Sequence, residues 1–266
     1  TLPTQWGESV VMRLLDQTTG ILSMPALGMP PEVQSRFELN LERPHGLILV
    51  TGPTGSGKTT TLYAALSQLN TPKRKIITAE DPIEYRLPRI NQVQVNPKID
   101  FNFSTILRSA LRQDPDVILI GEMRDQETVS IGVRAALTGH LVLSTLHTND
   151  APSAVTRLTD MGVEPYLLSS SLLGVLGQRL VRKICLACQG KGCVSCGHSG
   201  YLGRVGVFEM MRVNERIRQL IHDGAAEADV RDAAIDSSML PMRTYGQSLV
   251  DDGITTHEEL LRVTKD

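Results

Sequence analysis

The 266-residue chain lacks the features that mark membrane, secreted or disordered proteins. No apolar run approaches the roughly 20 residues that a membrane-spanning helix needs, and the mean hydropathy is only −0.07. No basic segment followed by an apolar segment stands at its start, so we predict no secretory signal peptide. Hydrophobic residues make up 41% of the chain, too many for a disordered protein. The length predicts about one or two folded domains.

The chain also lacks a marked excess of charge of either sign. It has 27 basic and 29 acidic residues, a formal net charge of −2, and only 4% aromatic residues. Near-neutral charge argues against an electrostatic grip on nucleic acid or anionic lipid along the whole chain. Stripes of aromatic and basic side chains are missing as well, so we expect no direct binding of nucleic acid.

The chain begins with Thr1 instead of a methionine, and we interpret it as a piece of a longer protein. A strand-like stretch, Glu8–Leu15, lies near the start. We expect residues 1–20 to be the remnant of an upstream domain and its linker. Two further domains are predicted, residues 21–150 and residues 151–266.

In residues 21–150, short apolar runs alternate with helical patterns. The runs lack polar alternation, as expected for strands buried on both faces. This alternation predicts an α/β fold with a parallel sheet and crossover helices. The predicted strands are Leu47–Val50, Lys75–Thr78, Val117–Ile120 and Leu141–Leu143, and the helices between them include Thr59–Leu69, Ser104–Leu111 and Glu127–Leu137.

From residue 151 onward a period of 3.6 residues predominates, which predicts a mainly helical C-terminal domain. Thr255 and Glu258 have the spacing of a capping box at the start of the last helix. The predicted helices are Ser153–Met161, Tyr166–Leu180, Glu215–His222, Glu227–Ile235 and Glu258–Val263.

One segment matches the complete GxxxxGK[ST] pattern of a phosphate-binding loop, between a predicted strand and a predicted helix. Its glycines allow backbone N–H groups to surround phosphate oxygens, Lys58 reaches the β and γ phosphates, and Thr59 offers a hydroxyl to Mg²⁺. We therefore predict ATP–Mg²⁺ binding by Gly52, Pro53, Thr54, Gly55, Ser56, Gly57, Lys58, Thr59 and Thr60.

Two acidic segments follow predicted strands at the edge where parallel sheets bind their ligands. After the strand Val117–Ile120, Gly121 occupies the usual Walker-B carboxylate position and Glu122 comes next, so Glu122 is the candidate that orients water. Glu80, Asp81 and Glu84 follow another strand, and Pro82 restricts the backbone of Asp81. Glu80 is the second catalytic candidate and Glu84 a nucleotide-site candidate; a solvated acidic turn is the alternative.

Histidines and arginines offer further candidates for the nucleotide site. His147 follows the strand Leu141–Leu143 and is the better candidate for sensing the γ-phosphate, whereas His140 precedes the strand and could instead organise a turn or a subunit contact. An NTPase whose site is completed by a neighbouring subunit needs an arginine as donor, but any single arginine more often forms a surface ion pair. The candidates are Arg13, Arg108, Arg112, Arg124 and Arg204.

All four cysteines of the chain lie within twelve residues, which argues against a secreted disulfide framework. They form two C-x-x-C pairs, a spacing that lets each pair present two thiolates to one tetrahedral ion. Four sulfur ligands favour a structural Zn²⁺; an Fe–S cluster, a redox dithiol and unliganded thiols are the alternatives. The predicted ligands are Cys185, Cys188, Cys193 and Cys196.

Together these motifs resemble the ATPases of type II secretion and of type IV pilus extension. The resemblance extends over nearly the whole chain, from the segment Leu2–Asp16 to Gly200–Arg204. It implies a RecA-like core with Glu122 as an atypical Walker-B glutamate, Glu80 and Glu84 in an acidic box, and His140 and His147 in a histidine box. The cysteines match a zinc motif that the related retraction motor lacks.

The resemblance also implies how such a protein works: a homo-hexamer with ATP between subunits. It implies a cytoplasmic location at the inner membrane, on a platform protein and with other secretion or pilus components. Our hypothesis is therefore an ATP-driven motor for secretion or pilus extension. A DNA-uptake or translocation motor and a regulatory ATP-binding module on the same core are the alternatives.

Overall fold

Runs of buried aliphatic residues form the strands at the centre of the molecule, as the sequence predicts. The computed structural model describes residues 1–12 and 22–264. In β3, for example, all six residues are buried, as expected for a strand covered on both faces. The strands are β1 (Leu2–Thr4), β2 (Gly7–Ser9), β3 (Gly46–Thr51), β4 (Ile76–Glu80), β5 (Asn91–Gln94), β6 (Val117–Ile120), β7 (Leu141–Leu146), β8 (Leu172–Ile184) and β9 (Tyr201–Arg212).

The helices begin and end at residues whose local chemistry favours a boundary. Asp125 caps the fourth helix by accepting a hydrogen bond from the N–H of Thr128, and Asn214 caps the seventh in the same way at Ile217. The helices are α1 (Pro31–Leu41), α2 (Lys58–Leu69), α3 (Phe103–Ala110), α4 (Gln126–Leu137), α5 (Ser153–Asp160), α6 (Pro165–Ser171), α7 (Glu215–His222), α8 (Glu227–Asp236), α9 (Met242–Asp251) and α10 (His257–Thr264).

Seven strands form one sheet in the order β5-β4-β6-β7-β3-β8-β9. All neighbouring pairs are parallel except β8 and β9. Alternate side chains of β3 enter two different cores, with Leu47 and Leu49 on one face and Ile48 and Val50 on the other. The α/β fold class predicted from the alternation is thereby confirmed. Its parallel strands place their carboxyl ends along one edge, where ligands bind in such sheets.

The helix predicted over Tyr166–Leu180 is wrong in its second half. The helix α6 ends at Ser171, and the chain continues as the strand β8. Gly174 and Gly177 explain the difference, because a Cβ on Gly174 would lie 2.5 Å from Asn40 Nδ2 and one on Gly177 2.8 Å from Glu209 Cγ. Glycines that allow such close packing also disfavour a helix. The apolar spacing of this segment fits either structure.

The start of the last helix also differs from the prediction by one residue. Thr256, not Thr255, caps α10 by accepting a hydrogen bond from the N–H of Glu259 at 3.2 Å. The hydroxyl of Thr255 donates to the carbonyl of Arg182 instead. The predicted capping box of Thr255 and Glu258 is therefore wrong, although a helix is present at the predicted place.

The domain division at residue 150 stays a prediction. The seven-stranded sheet contains strands from both sides of this residue, since β8 and β9 follow it in sequence. Near the start, β1 and β2 pair with each other in a separate two-stranded sheet. The strand predicted over Glu8–Leu15 matches β2 only in part, and its last three residues lie outside the described ones. Among the helices that the structure describes, none combines the length and apolar character needed to cross a membrane.

Candidate functional site

The phosphate loop connects β3 to α2 at the carboxyl edge of the sheet. Gly52, Gly55 and Gly57 have φ values of 151°, 80° and 90°, which side chains rarely adopt. Space excludes a side chain as well, because a Cβ on Gly52 would lie 2.3 Å from the carbonyl oxygen of Gln178. Thr59 and Thr60 are exposed on the first turn of α2. The backbone therefore takes the form that the sequence pattern predicts.

The loop has the chemistry of an anion site. Lys58 is 8% exposed, and its amino group donates to the carbonyls of Gly52 at 2.7 Å and Pro53 at 3.0 Å. Burial lowers the pKa of Lys58 to about 8, and the charge of Glu122 opposes this shift. The hydroxyl of Ser56 is buried and has no hydrogen-bond partner among the described residues. A phosphate group could accept hydrogen bonds from the Lys58 amino group and the Ser56 hydroxyl, so these residues fit a nucleoside triphosphate.

Glu122 lies beyond the end of β6, next to the phosphate loop. Its side chain is 13% exposed, forms an ion pair with Arg124 and lies 3.5 Å from His147 Nε2. Burial lowers the pKa of His147, and the charge of Lys58 lowers it further. Hydroxyl groups of β7 fix this region, since Thr145 donates to the carbonyl of Gly121 at 2.7 Å. The structure thus brings Lys58, Glu122 and His147 together.

Gly121, which stands where the sequence pattern predicts the usual Walker-B carboxylate, has little space for a side chain. A Cβ at this position would lie 3.1 Å from the carbonyl oxygen of Ala79 and 3.4 Å from the Cα of Glu80. The backbone N–H of Gly121 donates to the same carbonyl at 2.8 Å. A larger residue would therefore push apart the ends of β4 and β6.

Glu80, the other catalytic candidate, is a buried residue at the end of β4. Its carboxylate accepts hydrogen bonds from the hydroxyls of Tyr63 and Thr78 and from the Gln92 amide at 3.0 Å. With these three donors the carboxylate is satisfied within the protein. Glu84 is half-buried in the loop that follows, and its backbone N–H donates to Tyr63.

His140 lies at the amino end of β7, whereas the phosphate loop lies at the carboxyl end of the neighbouring strand β3. His140 lies in the turn after α4, and its Nδ1 is 3.0 Å from the carbonyl oxygen of Ala135 in that helix. The structure therefore does not bring His140 together with the phosphate loop of the same chain. Its position corresponds to the other interpretation, the organisation of a turn.

A cavity of about 450 Å³ adjoins the phosphate loop. Residues 53–56 form one wall, and a cluster of four basic residues, which we call the arginine cluster, contributes to the others: Arg179, Arg182, Arg204 and Arg262. Arg179 is 7% exposed and donates to the backbone carbonyl of Asn149 at 2.6 Å. Glu259 pairs with both Arg182 and Arg262. The cavity thus offers a positively charged surface beside the loop.

Of the five arginines predicted from the sequence, two lie at the site in the described part of the chain: Arg204 lines the cavity and Arg124 pairs with Glu122. Arg108 forms an exposed ion pair with Glu127, and Arg112 is exposed at the end of α3. Arg13 lies outside the described residues.

The four cysteines form the turn between β8 and β9. Their sulfur atoms all lie within 4.8 Å of one another. Three of the separations are 3.9, 3.8 and 3.7 Å. A tetrahedral zinc ion with Zn–S bonds of about 2.3 Å requires sulfur atoms about 3.8 Å apart. Three of the six separations therefore match a zinc tetrahedron, and the four residues between the two C-x-x-C pairs bring all four sulfur atoms close enough to bind one ion.

Backbone groups support the cysteine cluster. The N–H of Gly192 donates to the sulfur of Cys188 and that of Cys193 to the sulfur of Cys196, each at 3.2 Å. Such bonds stabilise thiolates. A Cβ on Gly192 would lie 2.8 Å from the carbonyl oxygen of His198, so the turn requires a glycine there.

Comparison with known proteins assigns the chain to a family. The profile of the family described as Type II/IV secretion system protein matches residues 1–262. The chain belongs to this family. It is similar to Type II secretion system protein HxcR of Pseudomonas aeruginosa, with 56% identity covering 100% of this chain and 58% of that protein. It is also similar to Type II secretion system ATPase E of Vibrio cholerae, with 48% identity and the same coverage of each.

The chain is also similar to a solved structure. A crystal structure of the pilus retraction motor PilT with bound ADP is 36% identical, has a TM-score of 0.78 and is matched over 96% of this chain and 69% of that one. The resemblance stated from the motifs is thus confirmed. The chain spans 58% of the length of the two curated relatives named above.

In this member of the secretion family, several residues at the site escaped prediction from the sequence. Tyr63 is buried and donates a hydrogen bond to Glu80 of the acidic box, and Gln178 is buried and accepts one from Thr61 of α2. Arg179, Arg182 and Arg262 belong to the arginine cluster. One sequence signal was available for Arg179 and Arg182, because they lie in a stretch, residues 165–208, that contains no acidic residue.

Proposed function

We propose that the chain is the ATP-binding and ATP-hydrolysing part of a motor that powers type II secretion. The observation that carries this proposal is the approach of Glu122 and His147 to a complete phosphate loop. The relatives named for type II secretion favour secretion over pilus extension. The ADP bound in the crystal structure of PilT supports an adenine nucleotide as the ligand.

In this proposal, the residues of the phosphate loop bind ATP, and Glu122 orients the attacking water. The backbone N–H groups of residues 54–58 and the amino group of Lys58 hold the β and γ phosphates of ATP. Glu122 accepts a hydrogen bond from the attacking water, because its carboxylate lies in a largely buried position beside Lys58. His147 orients Glu122 from the neighbouring strand end. Mg²⁺, held through Thr59, would neutralise the phosphate charge.

Glu80 has a different role in this proposal from the one expected for it. Its carboxylate is buried and already accepts hydrogen bonds from Tyr63, Thr78 and Gln92, so in this proposal it holds the acidic box in place instead of orienting water. The arginine cluster attracts the triphosphate to the loop. The four cysteines would hold a zinc ion, which would stabilise the turn between β8 and β9.

The motor itself is proposed to be a homo-hexamer at the cytoplasmic face of the inner membrane. ATP would lie between subunits, and an arginine from a mobile neighbouring domain would complete the site. An inner-membrane platform protein and other secretion components would receive the movement. The net charge of −2 agrees with a motor that acts on protein instead of nucleic acid.

Release of phosphate from ATP by the purified full-length protein tests this proposal. We expect Mg²⁺-dependent hydrolysis that rises with protein concentration, because subunits must assemble. Lys58→Ala should abolish both nucleotide binding and hydrolysis. Hydrolysis that depends on added DNA would support a DNA motor instead, and binding without hydrolysis under all conditions would support a regulatory module.

A further inference from the structure

Tyr63 is a buried tyrosine on α2, the helix that follows the phosphate loop. It is 1% exposed and lies five residues after Lys58. Its hydroxyl donates a hydrogen bond to the carboxylate of Glu80 and accepts one from the backbone N–H of Glu84 at 3.2 Å. A single hydroxyl therefore connects α2 to the last residue of β4 and to the far end of the segment that follows β4.

This segment, residues 81–84, we call the acidic loop. It begins directly after Glu80, whose backbone lies beside Gly121, the residue before Glu122. The N–H of Gly121 donates to the carbonyl of Ala79 at 2.8 Å, and a Cβ added at Gly121 would lie 3.4 Å from the Cα of Glu80. The charge of Asp81 also acts on Arg124, whose pKa is raised first by its hydrogen bond to Glu122. Displacement of the acidic loop would thus change the surroundings of Glu122.

We propose that Tyr63 is a positioning residue of the hydrolytic site, whose hydroxyl holds the acidic loop in a fixed position relative to the phosphate loop. The inference rests on the proposed ATPase function. Glu80 is the anchor of this arrangement, since Thr78 and Gln92 fix its carboxylate independently of Tyr63. Burial raises the pKa of Tyr63 and Glu80 raises it further, so the hydroxyl keeps the proton it donates.

The variant Tyr63→Phe removes this hydroxyl and leaves the ring. Tyr85→Phe is the matched control, because the ring of Tyr85 packs edge to face against that of Tyr63 at 6.3 Å between centroids. Within the described part of the chain, the hydroxyl of Tyr85 makes no hydrogen bond. The two variants therefore lose the same atom from neighbouring rings, and only one loses the link to the acidic loop.

The first measurement is hydrogen–deuterium exchange of residues 81–87 in the nucleotide-free, full-length protein. We expect the amide of Glu84 to exchange about tenfold faster in Tyr63→Phe, because its acceptor is lost, and at the original rate in Tyr85→Phe. The second measurement is steady-state ATP hydrolysis. We expect kcat to fall about tenfold in Tyr63→Phe with KM for ATP changed less than about twofold.

Combining Tyr63→Phe with Glu80→Gln adds a further check. If the two residues act through one link, the double variant should be no slower than the slower single variant. Unchanged exchange and unchanged kcat in Tyr63→Phe would overturn the inference, as would equal losses in Tyr85→Phe. If the wild type hydrolyses ATP and Tyr63→Phe shows the same kcat and the same amide exchange, only the positioning role of Tyr63 is refuted. Absence of hydrolysis in the wild type refutes the proposed function and this inference together.

Discussion

The cysteine cluster allows a prediction that can be worked out from distances. Three sulfur separations of 3.7 to 3.9 Å correspond to the edges of a zinc tetrahedron, whereas a disulfide would bring two sulfur atoms to about 2.05 Å. We therefore expect one zinc ion per chain and four metal-bound thiolates. Because the chain has no other cysteine, thiol measurements report on this site alone.

The assay is titration of the purified protein with a mercurial reagent while a zinc indicator is present. Four equivalents per chain should release one equivalent of zinc, and Cys193→Ser should contain much less metal than the wild type. Zinc content far below one per chain, a colour typical of an Fe–S cluster, or two disulfides in the reduced preparation would refute the zinc assignment.

The same structure predicts that zinc removal leaves nucleotide binding nearly unchanged. Leu180 of β8 lines the cavity beside the phosphate loop, and β8 continues to Ile184 before the cysteines begin. At about 3.3 Å per residue, Cys185 lies roughly 17 Å beyond Leu180 along the chain. At that distance a pair of unit charges interacts by about 0.25 kcal/mol in water before screening. A loss of ATP affinity of about tenfold or more on zinc removal would contradict this separation.

Two further predictions concern Glu259 and Gly121. The hydrogen bond from Arg182 lowers the pKa of Glu259 from its usual 4.5 to about 2, so the stabilisation is present above about pH 4.5 and is lost as the pH falls toward 2. Glu259→Gln should lower the free energy of unfolding by about 1–3 kcal/mol at pH 7 in urea titrations, with a difference that shrinks below pH 4.5; a constant difference down to pH 3 would contradict this. Gly121→Asp, which restores the usual Walker-B residue, should cost about 1–3 kcal/mol of stability and slow hydrolysis, because a Cβ there meets Ala79 at 3.1 Å. Faster hydrolysis at equal stability would argue against the steric account.

The strands and the phosphate loop could be predicted because their signals are local. The run Leu47–Val50 and the pattern from Gly52 to Thr59 lie next to each other, and the structure places them as expected. Glu122 was predictable for a related reason, since a residue just after a parallel strand must lie at the carboxyl edge.

Other features depend on contacts between distant parts of the chain. Nothing next to Glu80 in sequence reveals that Tyr63, on another element, uses its carboxylate. Arg179 reaches the site only because β8 lies beside β3, and the apolar spacing of that segment fits a helix equally well. The role of Gly174 and Gly177 becomes clear only when Asn40 and Glu209 are seen to pack against them.

The most direct test of the ATPase account separates binding from hydrolysis in the variant Glu122→Gln. Glutamine keeps the shape of the side chain but removes the charge that orients water. The affinity for ATP and the rate of hydrolysis should be measured on the same full-length preparation. We predict affinity within about threefold of the wild type and a kcat at least about 100-fold lower. A kcat within about threefold of the wild type would contradict the assignment of Glu122.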